Sequence, residues 1–264
     1  MSNLAGVTQR VALVTGAGSG IGAATVRRLS ADGFHVVAVG RRRDPLDAVA
    51  ATCPAGSVSV DTLDVADTAA AAEFVQATAE RHGGLHVVVN SAGTARQVGI
   101  ADTTPAYFAE VIAVNLAGPA AIISAAWPTF ERQGEGCIVN LSSLAQLDPF
   151  PGFFAYAPSK AGLHLVGVVA NNEGAAAGIR AFTLAAGVVD TPLFRSLMPE
   201  GLPPDQMLEP DDMADVVADC IAGRHDDAAG QVLAVVPSGG VDAIQTWVDT
   251  HPGGGVTVLR RGSR

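Results

Sequence analysis

Thr15-Gly16-Ala17-Gly18-Ser19-Gly20-Ile21-Gly22 is the stretch that decides the fold. A short apolar run, 11–15, leads into it, and an alanine-bearing stretch over 20–32 with helical character leads out. Glycines permit a tight turn and close approach of a phosphate, while unpaired N–H groups at a helix start attract the anion. The spacing is GxxxGxG; read from Gly16 it departs from the commoner GxGxxG, because Ile21 holds the last place. Any strand-to-helix turn can carry glycines, but strand before, helix after and nearness to the N-terminus together read as a pyrophosphate cradle. The turn lacks a Gly-Lys-Ser/Thr ending, which excludes an ATPase phosphate loop.

Further along, β-branched runs at 35–39, 58–63, 85–90, 137–141, 179–184 and 232–236 alternate with helical stretches near 45–52, 68–82, 105–131, 155–177 and 210–223. Several runs are apolar throughout, as strands buried on both faces require. Gly33 and Gly83 sit where helices 20–32 and 68–82 should stop. The alternation predicts a single α/β domain over 1–264: a doubly wound parallel sheet of about seven strands, helices on both faces, ligands at the strands' carboxyl ends. The tail 251–264, with Pro252, three glycines and Arg260, Arg261 and Arg264, reads as a frayed, flexible terminus.

The 264 residues are 48% hydrophobic and 16% charged, enough to bury a large core, and carry a net charge of −10. That balance argues against nucleic acid or an anionic membrane surface as a partner. No apolar run of about 18 residues is evident and no leader pattern opens the chain, so a cytoplasmic protein is expected. Cys53, Cys137 and Cys220 are odd in number and far apart, which suits free thiols in a reducing compartment. No HExxH or clustered Cys/His spacing points to a metal.

The second strand ends Val39-Gly40-Arg41-Arg42-Arg43. An acid at that position would bind the ribose 2′-hydroxyl of NAD; here Gly40 takes the place and guanidinium groups follow. Arg41 and Arg42 suit the 2′-phosphate of NADP, so NADPH is the expected cofactor; a solvated basic loop would leave NAD as the alternative.

The chain has two tyrosines and a single lysine, Lys160, four residues after Tyr156 in Tyr156-Ala157-Pro158-Ser159-Lys160. Residues at i and i+4 share a helix face, so phenol and ammonium can address one site. A phenol of pKa about 10 is only ~0.1% ionised at pH 7, and a neighbouring cation can make it a usable base. Packing of the ring in the core, with the lysine reaching solvent, is the rival explanation for the pair.

With the glycine turn, Asn90-Ser91-Ala92-Gly93, Asn115, Ser142-Ser143 and Tyr156-x-x-x-Lys160 in this order, the sequence resembles the short-chain dehydrogenases/reductases over roughly residues 8 to 240. The resemblance implies a Rossmann-like fold and NAD(P)-dependent interconversion of a carbonyl and an alcohol. Tyr156 would be the general acid or base, and Lys160 would lower its pKa and hold the nicotinamide ribose. Ser143 would bond the substrate oxygen, and Asn115 would help hold a water linking Lys160 to solvent. Gly16, Gly18, Ser19, Gly20, Ile21 and Gly22 would cradle the pyrophosphate, with Gly40, Arg41 and Arg42 near the adenosine ribose. Asp64 and Val65 would meet the adenine, and Asn90, Ala92 and Gly93 would flank the adenosine side. Val188, with Gly187, Val189 and Thr191 around it, would meet the carboxamide. Ser91, Ala186 and Ser19 depart from the family's usual Asn, Pro and basic residue, which bears on the cofactor more than on the chemistry.

Leu144 to Phe154 and Leu193 to Leu208 are rich in apolar and aromatic residues and are expected to wall the substrate site. The stretch 192–209 reads as a lid, and the substrate as a small hydrophobic carbonyl compound or alcohol. Small residues on helices 105–131 and 155–177, with the family resemblance, imply a homodimer or homotetramer. The alternatives are an NAD-dependent secondary-alcohol dehydrogenase and a non-catalytic dinucleotide-binding sensor or scaffold, against which the intact Asn115, Ser143, Tyr156 and Lys160 speak.

Overall fold

The computed structural model describes residues 9–237 and 256–261. Its elements alternate along the chain. β1 (Val11–Thr15), α1 (Gly20–Ala31), β2 (His35–Gly40), α2 (Arg43–Ala50), β3 (Val58–Thr62) and α3 (Thr68–His82) make the first half of the sheet. β4 (Val87–Asn90), α4 (Pro105–Ile112), α5 (Gly118–Gln133), β5 (Gly136–Ser143), α6 (Tyr156–Gly174) and β6 (Ile179–Ala186) begin the second. α7 (Pro192–Leu197), α8 (Pro210–Ile221), β7 (Val232–Pro237) and β8 (Val256–Arg261) follow. Among the described residues the strands form one parallel sheet in the order β3-β2-β1-β4-β5-β6-β7-β8.

Alternation along each strand divides the core between the two faces. Ala12 and Val14 of β1 pack with Val26 and Leu29 of α1 and with Met213, Val216 and Val217 of α8. Val11 and Leu13 pack on the opposite face with Val75 of α3 and Ile122 and Phe130 of α5. Both faces are thus covered, as nearly continuous apolar strands demand. After β3 the chain returns to the far side of β1 to lay down β4, so the strand order reverses between β1 and β4. A crevice opens at such a switch point, outside the carboxyl ends of the two strands.

Three expectations are corrected. The sheet has eight strands: residues 256–261, read as part of a flexible tail, pair in parallel with β7 from Val232↔Val256 to Pro237↔Arg261. Val256 and Val258 on either side of Thr257, with Arg260 and Arg261 after Leu259, suit an edge strand, a pattern hidden by the glycines before it. The remainder of 251–264 lies outside the described residues.

The helix expected over 105–131 is interrupted by a π-type turn, Ala113–Ala117, in which the Gly118 N–H reaches back to the Ala113 carbonyl. Pro119 explains the break, because it offers no N–H to the carbonyl of Asn115, four residues earlier. The run Pro105–Gln133 is also long and apolar enough to match a membrane span by composition, where the sequence suggested none. Here Val111, Ile122, Ile123, Ala126 and Phe130 are core residues of the α/β domain.

Candidate active site

Thr15 closes β1 and is almost fully buried. Its Oγ accepts from the backbone N–H groups of Ser91 and Ala92, each at 3.1 Å, which ties the glycine turn to the loop after β4. Gly16 has φ of +64°, and a Cβ there would lie 2.8 Å from Ala92 backbone atoms. A Cβ on Gly22 would lie 2.3 Å from the Gly16 carbonyl oxygen. Side chains are therefore excluded from both positions, and the backbone itself forms the wall. α1 opens with Ser19 at its N-cap making no side-chain cap bond, so first-turn N–H groups face the crevice.

The crevice is a cleft of 340 Å³. Gly16, Gly18, Ser19, Gly20 and Ile21 line one wall, and Gly40, Arg41 and Arg42 line the end beside β2. Asp64, Val65, Ala92 and Gly93 line the far side, and Tyr156, Lys160 and Thr191 the opposite end. A phosphate-approaching backbone, an uncapped helix start and a length running from β2 to α6 fit a dinucleotide.

Other expected residues lie behind this surface. Gly22 packs against the turn. Asn90 is buried in the sheet, where its Nδ2 donates to Asn140 Oδ1 at 2.9 Å across the β4–β5 register. Gly187 donates its N–H to the Val235 carbonyl, and Val189 forms a bridge with Leu208. Thr191 lines the cleft and also caps α7, accepting from Phe194 N at 3.2 Å. Of the three consecutive arginines, Arg43 is engaged with Asp47 at 3.0 Å and with the Val60 carbonyl, leaving Arg41 and Arg42 exposed on the cleft.

Asn115 is fully buried in the π-type turn and joins three segments. Its Oδ1 accepts from Thr94 N at 2.9 Å, and its Nδ2 donates to Thr94 O at 2.9 Å and to Ser159 Oγ at 3.0 Å. Ser159 Oγ in turn donates to the Tyr156 carbonyl at 2.6 Å. These bonds set the amide's orientation and hold the first turn of α6 against the loop after β4. Thr94 and Ser159 were not singled out in the sequence, although Ser159 stands inside the Tyr-x-x-x-Lys motif. Pro45 and Leu63 are further cleft residues with no motif to mark them, while Pro192 and Leu193 bring the start of the expected lid segment to the cleft.

Tyr156 and Lys160 stand on one face of α6, the Lys160 Nζ 5.7 Å from the centre of the phenol ring. The ammonium is 5% exposed and donates to the Leu141 carbonyl at 2.7 Å, while Ser142 Oγ donates to the Lys160 carbonyl. Burial brings the Lys160 pKa down to about 8. Burial raises the Tyr156 pKa, and the hydrogen bond with the Ser143 side chain opposes the rise without cancelling it. The expected lowering of the phenol by its lysine is thus not the outcome here: the ammonium is turned to a backbone carbonyl, and desolvation dominates. A phenol held protonated is suited to giving a proton.

Lys160 has a consequence for stability. Its charged form is disfavoured in the fold by roughly 3 kcal/mol, from about 2.5 pKa units at 1.4 kcal/mol each. Both states hold the proton below pH 8; between pH 8 and 10.5 the unfolded chain binds more protons, so stability rises with pH. Lys160→Met should raise the unfolding free energy at pH 7 by roughly 1–2 kcal/mol, read as a higher urea midpoint, after the Leu141 carbonyl loses its donor. The difference from wild type should shrink from pH 8 to 10; a variant less stable than wild type at pH 7 contradicts this account.

The profile of the family described as short chain dehydrogenase matches residues 10–201. An oxidoreductase of Staphylococcus aureus (strain MRSA252) is 32% identical over 211 residues, 80% of this chain and 90% of its own. Another, from Staphylococcus epidermidis, is 33% identical over 192 residues, 72% of this chain and 82% of its own. Among solved structures, levodione reductase superposes with a TM-score of 0.81 at 28% identity, covering 88% of this chain and 98% of that one. The 3-ketoacyl-(acyl-carrier-protein) reductase from Brucella melitensis, complexed with NADH, does so at 0.81 and 26%, covering 88% and 99%. With the cleft, the fold and these matches in agreement, the chain belongs to the short-chain dehydrogenase/reductase family of oxidoreductases.

Proposed function

We propose that the protein reduces a hydrophobic ketone or aldehyde to the alcohol with NADPH, and runs the reverse oxidation when the alcohol is in excess. The observation that carries this reading is the meeting of Tyr156, hydrogen-bonded to Ser143, and Lys160 at one end of a dinucleotide-shaped cleft. The bound nicotinamide would supply or accept the hydride. The Tyr156 hydroxyl gives its proton to the carbonyl oxygen as negative charge develops there, and Ser143 Oγ donates a second hydrogen bond to the same oxygen. Lys160, on the same face of α6, would hold a ribose hydroxyl of the bound cofactor. Asn115 keeps the α4–α5 junction, Thr94 and the start of α6 in register, so the phenol does not drift from the hydride acceptor.

Arg41 and Arg42 favour NADPH, because both guanidinium groups are exposed at the end of the cleft where an adenosine ribose would lie. The NADH bound to the Brucella reductase supports the second reading, an NAD-dependent alcohol dehydrogenase. The segment 192–209 would act as the lid. Its neck is held by Leu208 N donating to the Val188 carbonyl at 2.8 Å and Asp190 N donating to the Leu208 carbonyl at 2.9 Å. Leu193 reaches the cleft. The free thiols Cys53, Cys137 and Cys220 suit a reducing, cytoplasmic setting.

A groove of 670 Å³ between α5 and α6, edged by Trp127, Leu165 and Val169, supports a homo-oligomer joined through these helices. Leu165 is 62% exposed and Val169 53%, which a monomer gains nothing from.

Three outcomes check these readings. Tyr156→Phe should leave NADPH binding within about twofold while turnover of a carbonyl panel falls by roughly a thousandfold or more; near-normal turnover removes the phenol from the chemistry. Replacing Arg41 and Arg42 together by Ala should weaken NADPH by roughly a hundredfold and NADH only slightly, and equal losses reject the 2′-phosphate contact. In sedimentation, Leu165→Glu with Val169→Glu should give a smaller species than wild type; an unchanged size places any subunit contact elsewhere.

A further inference from the structure

Seven large apolar side chains are exposed among the described residues, and five of them lie on three segments around Tyr156. Ile100 follows β4, Phe150 and Phe154 precede α6, Leu193 lies in the lid helix α7 and Met198 caps its end. The segments touch. Val98 N donates to the Gly152 carbonyl at 2.8 Å, and Val98 bridges Phe153. From the lid side, Leu197 packs against the cluster that holds Phe153 and Tyr156.

The aromatic rings form a continuous run from the phenol outward. Phe153 lies 5.3 Å from the Tyr156 ring, and Phe150 meets Phe153 edge-on at 4.6 Å. Exposure climbs along the same path, from 8% at Phe153 to 52% at Phe150. One side of this path turns tightly against the loop after β4: Gly152 has φ of +91°, and Gln97 Cγ would lie 2.5 Å from a Cβ there. On the lid side Leu197 packs on this cluster, and the exposed Met198 follows it as the C-cap of α7. Cations on these segments are already neutralised, Arg195 by Asp190 at 2.6 Å and Arg96 by Glu110 at 3.8 Å. An anionic tail would find no free partner among them, whereas an apolar tail would cover surface that now faces water.

We propose that the substrate is a ketone with an extended apolar tail, laid along Phe153 to Phe150 on one side and Leu197 and Met198 on the other. The proposal rests on the carbonyl-reducing function given above and assigns Phe150 and Met198 as the residues that sense the tail's length.

The test is steady-state reduction of 2-butanone, 2-hexanone, 2-octanone and 2-decanone with NADPH. Each methylene that leaves water should raise kcat/KM about threefold. Phe150→Ser and Met198→Ser should each lower the 2-decanone to 2-butanone ratio of kcat/KM by about tenfold. A flat or falling dependence on length, or ratios unchanged in both variants, overturns the proposal. So does a Phe150→Ser variant whose sedimentation changes while its ratio does not, because the rim is then a subunit contact. Tyr156-dependent reduction of 2-butanone without length dependence leaves the carbonyl reductase standing and removes only the tail; no reduction of any ketone removes both.

Discussion

Backbone meets backbone where β1 and β4 end, and the rest of the site depends on that approach. The turn at Gly16 lies so near the Ala92 backbone that a single methyl group would force them apart. Thr15 holds the contact from beneath with two hydrogen bonds to the loop after β4. Because the wall at the glycine turn is main chain, backbone groups rather than side chains border the crevice there, and the helix start behind them adds its field. The same loop carries Thr94, through which Asn115 and Ser159 connect the nucleotide end to Tyr156. The glycine turn and Tyr156 are thus parts of one hydrogen-bonded frame.

Lys160 sets function against stability. An ammonium 5% exposed, with the Leu141 carbonyl as its hydrogen-bond acceptor, is held at a cost that the packed sheet on both faces can bear. Its lowered pKa and the raised pKa of Tyr156 have one origin, the removal of water from the end of the cleft. A closed lid would strengthen the interactions of both groups with a reacting oxygen for the same reason.

Much of the fold could be read from residue order alone. The strand runs, the glycine stops at Gly33 and Gly83 and the parallel sheet with helices on both faces follow from periodicity and turn chemistry, and α3 indeed ends at a left-handed Gly83. The Tyr156–Lys160 face was legible because one helical turn separates them. Harder to see were the edge strand β8, whose short alternation follows a glycine run, and the break at Asn115, where an apolar stretch looked like one uninterrupted helix. Asn90 illustrates the limit of motifs: its place in the pattern suggested a cleft residue, yet its amide serves the sheet through Asn140.

By itself the sequence determined the alternation of strands and helices, the glycine turn between β1 and α1 and the shared helix face of Tyr156 and Lys160, since each depends on neighbours within a few positions. Tertiary structure alone decided which arginines remain free, because Asp47 and the Val60 carbonyl claim Arg43. It also decided that burial raises the pKa of the phenol and that an aromatic run leads from it to the surface. Those properties arise from water exclusion and from contacts between segments tens of residues apart, and no local pattern encodes either.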